Sequence, residues 1–569
     1  MGHGHQHHDH SHPHAHDHEH SVGESPAMDL SVPDEELSPS DLSRRGFLRG
    51  AGVLGAAATV AGLGSAGILG GAAPAFAHDS HSGDDGKGLR WLAGDHHIHT
   101  QYSEDAMYRV IDHARHANAY GLDWMVITDH GSVGHAKIGV EKVNPNIVAA
   151  RADIKDTLIF QGLEWNIPGA EHGTVFVHPG KNEVAVLKEF ENTFDGVVTN
   201  TTGSTPANEA LAVTGLGWLA GAVKNRRVDD AAFFANHPAR KGIDSPHEIR
   251  GWRDAAPNIA LGFEGAPGHQ AAGFPKPNGA GSGRGFYENT PAAASFQGYP
   301  LESYRTWGGF DWMTSTVGGL WDSLLTEGKP WWITANSDSH TVFADTATRG
   351  PGTDFPTNGF HNDPVYGQPA ALTNGDFWPG YYSKTHVGAK GFTYKAVMDG
   401  LRAGRVWVSH GGLITAIDVT VKSRGDSVTL GGVLTPRRGS TVDVEIVVDL
   451  ANTPNWAQFV PKLARVDLIA GDVTGPAADK DSFNTPKTKV VKSFDVNKST
   501  GQVTLRYSFG AAEAPYYLRL RGTDGNRGAV GLNGASVDPA GPAMDVLGDA
   551  DPWKDLWFYT NPIWVLPSR

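Results

Sequence analysis

Five short apolar runs in this chain each stop at a cluster of polar residues rich in histidine and carboxylate, and that recurrence limits the fold more than any other feature. The clusters are Gly94-Asp95-His96-His97-Ile98-His99-Thr100, Thr128-Asp129-His130, Gly162-Leu163-Glu164, Asn236-His237-Pro238 and Asn336-Ser337-Asp338-Ser339-His340. The runs have strand length. Stretches of helical spacing lie between and after them, over residues 104–120, 144–156, 205–223, 247–254, 310–325 and 392–403. Strands alternating with helices predict an α/β fold with a parallel sheet covered by helices, in which chemistry gathers at the carboxyl ends of the strands. The polar clusters sit at such ends.

His97 and His99 are two apart on an extended segment, so both imidazoles share a face. In chain order the strand-end groups are His97, His99, Glu104, His130, Glu164, His172, His237, Asp338 and His340. Imidazole and carboxylate donors suit Zn, Mn or Fe, and nine ligands exceed one ion, so two or three divalent ions sharing carboxylates are expected. Three carboxylates leave such a centre with surplus positive charge. That favours an anionic substrate and metal-assisted hydrolysis, phosphate esters first, because paired metals clamp the attacking and leaving oxygens of an in-line displacement. The chain has no cysteine, which excludes disulfides, thiolate zinc sites and thiol nucleophiles. A formal charge of −15 argues against a general nucleic-acid grip.

The segments Asp95–Thr100 with Ser103-Glu104, and Ile127-Thr128-Asp129-His130, resemble the first two motifs of the PHP (polymerase and histidinol phosphatase) superfamily. The Glu164, His237 and Asp338–His340 clusters resemble the later ones, in family order, across residues 89–409. The resemblance implies a distorted (β/α)7-like PHP barrel and a trinuclear metal site that hydrolyses phosphate mono- or diesters through a metal-bound hydroxide. It implies one ion on His97, His99, Glu164 and Asp338. A second would take Glu164, His172 and His237, and a third Glu104, His130 and His340. His97, Glu164, Asp338 and His237 thereby become the catalytic residues. Glu104 stands where the family has Asp, and its extra methylene shifts the carboxylate by about 1.5 Å. Asp95 and Asp129 flank ligand histidines and are expected to orient an imidazole. Arg240 and Lys241, just after His237, are candidates for holding phosphate oxygens, as are His269 and His386 near two long loops.

Residues 1–20 hold ten of the 28 histidines. Such a tract binds metal by composition and cannot build a core. Ser43-Arg44-Arg45-Gly46-Phe47-Leu48-Arg49, an uncharged Gly/Ala-rich run and Ala75-Phe76-Ala77 resemble a twin-arginine export signal. The expected product is secreted, periplasmic or at the cell surface. Its expected partners are the twin-arginine machinery and a small anionic phosphate ester, and no stable membrane anchor remains after cleavage. The exported form with a trailing β-domain is similar to a carbaryl hydrolase-like branch of the superfamily.

The expected organisation is a His-rich tract (1–40), a signal (41–77), a linker (78–88), a PHP hydrolase domain (89–411), an immunoglobulin-like β-sandwich (412–530) and a segment docking back on the body (531–569). The sandwich rests on about seven alternating runs with turn residues between them. Gly/Pro/Asn-rich stretches 266–304 and 341–391 read as cleft walls. Two rival functions follow from the same sequence. Aromatic residues 377–382 would favour a neutral aryl ester or carbamate on the same metals, and the His tract would suit a non-enzymatic metal-binding or surface protein.

Overall fold

The structure, a computed structural model, describes residues 88–568. The His-rich tract, the twin-arginine segment and the linker up to residue 87 lie outside the described residues. Nine strands form the first half of the sheet: β1 (Arg90–Asp95), β2 (Trp124–Ile127), β3 (Leu158–Asn166), β4 (His172–Val177), β5 (Ala231–Ala235), β6 (Ala260–Ala266), β7 (Trp332–Ala335), β8 (Ser383–Ala389) and β9 (Val406–His410). Their order is β9-β8-β1-β2-β3-β4-β5-β6-β7. β1, β2 and β3 are parallel, as are β5, β6 and β7, while β4 and β8 run against their neighbours. The parallel strands β2, β3, β5, β6 and β7 are mostly buried apolar runs, as parallel strands covered on both faces must be.

Among the described residues ten α-helices connect the strands: α1 (Val110–Ala119), α2 (His135–Asp153), α3 (Glu183–Phe194), α4 (Gly196–Thr199), α5 (Pro206–Lys224), α6 (Pro246–Ala255), α7 (Trp312–Ser315), α8 (Leu320–Thr326), α9 (Phe355–Asn358) and α10 (Tyr394–Arg402). Their starts carry local signals. Ser245 accepts from Glu248 N, Glu248 returns the bond, and Pro246 opens α6. The Thr205 hydroxyl caps α5 by accepting from Asn208 N, and the Thr393 hydroxyl caps α10 by accepting from Ala396 N.

Several expectations differ, and the helix expected over 144–156 starts nine residues earlier, at His135, with Pro145 inside it. The helix expected over 104–120 begins only at Val110, because residues 101–109 fold as a loop over the strand ends. The helix expected over 310–325 is two short ones, broken where Gly318 takes φ +74° ahead of Gly319. β8 lies inside the stretch read as a cleft wall, since Ser383-Lys384-Thr385-His386 carries no apolar run. It pairs antiparallel with β1, Ala93 opposite His386. Among the described residues β7 and β8 share no strand ladder. The Thr385 hydroxyl spans them, accepting from Ala335 N (2.8 Å) and donating to Ala335 O (2.9 Å).

The C-terminal half is β-rich: β10 (Ile414–Ser423), β11 (Asp426–Val428), β12 (Val433–Leu434), β13 (Thr441–Leu450), β14 (Arg465–Asp472), β15 (Lys489–Asp495), β16 (Gln502–Ala511), β17 (Tyr516–Thr523), β18 (Trp557–Thr560) and β19 (Ile563–Val565). β11-β10-β13-β16 make a separate antiparallel sheet. Its alternating inward residues, Ile417, Val419, Val421, Val444, Ile446 and Val448, belong to one buried cluster with Val466, Leu468, Leu518, Leu520 and Phe558 of the other layer. That other layer is not free-standing. β18 pairs with both β9 and β17, so the main sheet runs from the first half into the second. Beside this joint, Arg519 of β17 reaches across to Asp322 of α8 through two bonds of 2.8 and 2.7 Å, both side chains fully buried.

Candidate metal centre

The strand ends bring most of the expected ligands to one place. His97 Nε2 lies 3.0 Å from Glu164 Oε1 and 3.1 Å from Asp338 Oδ1. His99 Nε2 lies 3.3 Å from Glu164 Oε2 and 3.3 Å from Asp338 Oδ1. Around the same Glu164 Oε1 stand His172 Nδ1 and His237 Nε2, each at 3.3 Å. A third group forms at the rim, where His130 Nε2 and His340 Nε2 are 3.4 Å apart. Ligands about 2.1 Å from a shared ion stand roughly 3.0–3.5 Å from one another, and these separations fall in that range.

The donor chemistry fits divalent ions. His99 Nε2, His172 Nδ1, His237 Nδ1 and Asp338 Oδ1 are buried without a hydrogen-bond partner, a costly state that coordination would relieve at the donors facing an ion. Three geometric groupings capable of holding an ion recur among these residues: His97–His99–Asp338, His130–Glu164–His172 and His99–His130–His340. Burial pushes the Glu164 carboxyl up, but His97, His130 and His172 outweigh it and hold it well below the usual carboxylate range. Burial likewise pushes His237 down to about 3, which keeps it the neutral donor that a ligand must be.

The carboxylate at the rim is not the expected one. Glu104 is exposed, and its backbone carbonyl accepts from His361 Nε2 (2.6 Å) and Arg349 Nη2 (3.0 Å). Asp105 Oδ2 instead lies 3.3 Å from His130 Nε2 and 3.5 Å from His340 Nε2. The loop that delays α1 turns residue 105 toward the histidines. The adjacent acids Glu104-Asp105 were the available signal, and the second of them is the one beside the histidines.

The orienting partners also differ in part. His97 Nδ1 meets Glu264 Oε1 of β6 at 2.8 Å, and the same carboxylate accepts from Asn336 Nδ2 (3.0 Å) and His237 N (2.9 Å). Asp95 works on backbone instead, accepting from His97 N and Ser337 N. Asp129 acts one residue removed: it accepts from the Ser103 hydroxyl, which is 3.0 Å from His99 Nδ1. Glu264 lies near the end of β6 and belongs to none of the five polar clusters.

Of the expected substrate contacts, Arg240 and Lys241 face the cluster's edge. Both reach Glu171 Oε1, at 3.8 and 2.6 Å, and the buried Arg240 Nε has no partner. His269 sits deeper than a loop contact. Its Nε2 is 2.7 Å from Asp338 Oδ2 and its Nδ1 2.5 Å from Asp376 Oδ1. Asp376 comes from a long loop with no pattern to reveal it. His386 is turned the other way. It alternates with Thr385, which faces β7, and its ring lies flat on Trp407 at 3.5 Å, so packing on the opposite face of β8 takes it from the cluster. Phe377, Trp378 and Tyr382 are buried in packing, which removes the sequence support for an aromatic cleft there.

Among the non-glycine residues that hold left-handed backbone are His237 (φ +29°), His269 (+51°), Phe286 (+52°) and Asp338 (+47°). Each such residue costs on the order of 1–3 kcal/mol, and such strain concentrates at functional sites.

Residues 95–205 match the family model of the PHP domain. That span contains His97, His99, Asp105, His130, Glu164 and His172, and ends before His237, Asp338 and His340. A crystal structure from Bacteroides vulgatus, a two-domain protein containing a predicted PHP-like metal-dependent phosphoesterase, is similar over 76% of this chain and 91% of its own. The identity is 15% and the TM-score 0.29. No curated protein matches the chain.

Proposed function

We propose that the chain is an exported metal-dependent phosphoesterase hydrolysing phosphate mono- or diesters. The observation that carries this reading is Glu164, whose two oxygens face His97, His99, His130, His172 and His237 at 2.9–3.3 Å. His97, His99, Glu164 and Asp338 would hold one ion, Glu164, His172 and His237 a second, and Asp105, His130 and His340 a third. Nitrogen and oxygen donors suit Mn, Zn or Fe. Bound there, the ions supply Lewis acidity toward phosphoryl oxygens and toward the attacking water.

The chain's own residues do the rest. Arg240 offers its unpaired Nε to a phosphate oxygen, and Glu171 holds Arg240 and Lys241 at the rim. Glu264 fixes the His97 ring through Nδ1, so Nε2 faces inward. The Asn336 amide and the backbone bonds from Asp95 hold the last strand end against the first. The scaffold in this reading is a distorted barrel with an immunoglobulin-like region behind it. Export through the twin-arginine pathway rests on residues 43–77, and cell fractionation of an Arg44→Lys, Arg45→Lys chain tests it.

The deciding experiment measures metal content and turnover of purified protein on phosphomonoesters, phosphodiesters and aryl carboxylic esters. Two or three ions per chain with phosphate release, lost in Glu164→Gln, is the expected result. Turnover of esters with inert phosphates would overturn the reading.

A further inference from the structure

Phe286 stands one ring away from the cluster, and its placement is unusual twice over. It is a large apolar side chain left 37% exposed. Its φ of +52° lies where Asn, Asp and His are tolerated but an aromatic residue is an outlier. Histidine and aspartate at the other three strained positions fit that tolerance, and Phe286 does not.

The surrounding loop is firmly held. Arg284 is buried and donates to Gln270 Oε1 and to the Tyr382 hydroxyl, each at 2.5 Å. Gly285 N donates to His269 O at 3.1 Å. Tyr287 is buried, and its hydroxyl donates to Asp311. Residue 286 alone turns outward between fixed neighbours. Its ring centroid is 5.2 Å from that of His269, which is 5.4 Å from that of His340. A Cβ at Gly375 would come within 2.2 Å of the Phe286 ring, so glycine there lets the ring seat directly on backbone. One part of the ring is thus braced on backbone, the ring beside it is that of His269, and the side chain stays 37% exposed.

Resting on the phosphoesterase reading, we propose that Phe286 is a specificity-determining platform that stacks on a planar ring in the leaving group, making phosphate esters of ring-bearing alcohols the preferred substrates. An aryl ester places its ring one oxygen from phosphorus, within reach of a side chain one imidazole from the cluster. Offset aromatic pairs form at centroid separations of 4.5–7 Å, the spacing this row of rings already uses.

Binding of non-hydrolysable phosphonates separates this proposal from the reaction itself. The metal-loaded protein is titrated with phenylphosphonate, cyclohexylphosphonate, which has equal carbon count but no flat ring, and a nucleoside 5′-phosphonate. Phenylphosphonate is expected to bind about 3- to 10-fold tighter than cyclohexylphosphonate. Phe286→Leu and Phe286→Ala should abolish that ratio, and Phe286→Tyr should keep it, all at unchanged metal content. A preference for the nucleoside over the phenyl compound would place the ring source in a nucleoside. Equal binding of the phenyl and cyclohexyl compounds by the wild type, no binding of either, or a ratio that survives Phe286→Leu, would overturn the proposal. The wild-type ratio decides even if a variant fails to fold. Ring-selective binding with no phosphate ester turned over would sink the phosphoesterase reading and leave this subsite standing.

Discussion

At the scale of single residues, the position of one carboxylate separates two readings of the rim. Asp105, itself 56% exposed, lies beside His130 and His340, whereas Glu104 is bonded through its backbone carbonyl to His361 and Arg349. Replacing Asp105 with Ala should remove about one ion per chain and lower kcat/KM by roughly 100-fold or more, since even indirect support of a ligand is worth 10- to 100-fold. Glu104→Ala should stay within about twofold, as exposed substitutions do. Metal analysis beside steady-state kinetics checks both. A second residue gives a pH prediction. Burial pushes Asp311 up to about 7, against bonds from Tyr287, Met313 N and Ala239 N that pull it down. Its folded pKa exceeds its unfolded value, so the folded state holds the proton more tightly between about 4 and 7. Its contribution to stability is therefore present at low pH and declines as pH rises through that window. The difference in melting temperature between wild type and Asp311→Asn should follow that slope, and an unchanging difference from pH 4 to 7 would rule it out.

The elements themselves are held by a few bonds that no pattern announces. Thr385 is the clearest case. Its hydroxyl satisfies both the N–H and the C=O of Ala335, the residue just before Asn336 and the Asp338–His340 ligands. Thr385→Val keeps the shape and leaves two buried backbone groups unpaired, a loss of about 1–3 kcal/mol for each. Thermal unfolding should show the loss, with faster release of metal to a chelator, while Thr385→Ser should restore both. The same contrast explains how much could be read beforehand. β1, β2, β3, β5 and β7 were legible because parallel strands are continuous apolar runs, and the ligands that cap those runs were legible with them. β8 was not legible, since its polar residues bond sideways to neighbours far away in sequence. Asp376 and Phe286 were hidden for the same reason: long-range partners hold them in loops without periodicity.

Across the whole molecule, one sheet runs from the first half into the second, and a smaller four-stranded sheet packs on it. The buried Asp322–Arg519 pair sits beside that joint, with Tyr517 donating to the same carboxylate at 2.9 Å. Breaking it with Arg519→Met strands a buried charge and should cost about 3–5 kcal/mol, whereas Asp322→Leu with Arg519→Met should recover most of that loss. Chemical denaturation of the single and double variants measures the coupling. A chain stopped after Gly411 should aggregate rather than fold, because it leaves β9 as an open edge.

The strand that closes that edge has a further consequence. β9 ends at His410, and its partner β18 ends at Thr560, 150 residues later. Ribosomes add about 5–20 residues per second, so the edge of β9 away from β8 waits roughly 8–30 s for β18. During that interval a nascent chain can shape the ligand-bearing strands but cannot seal them. Closure of β18 thus reports that synthesis has passed residue 560, and products cut short anywhere before it keep a sticky, protease-accessible seam.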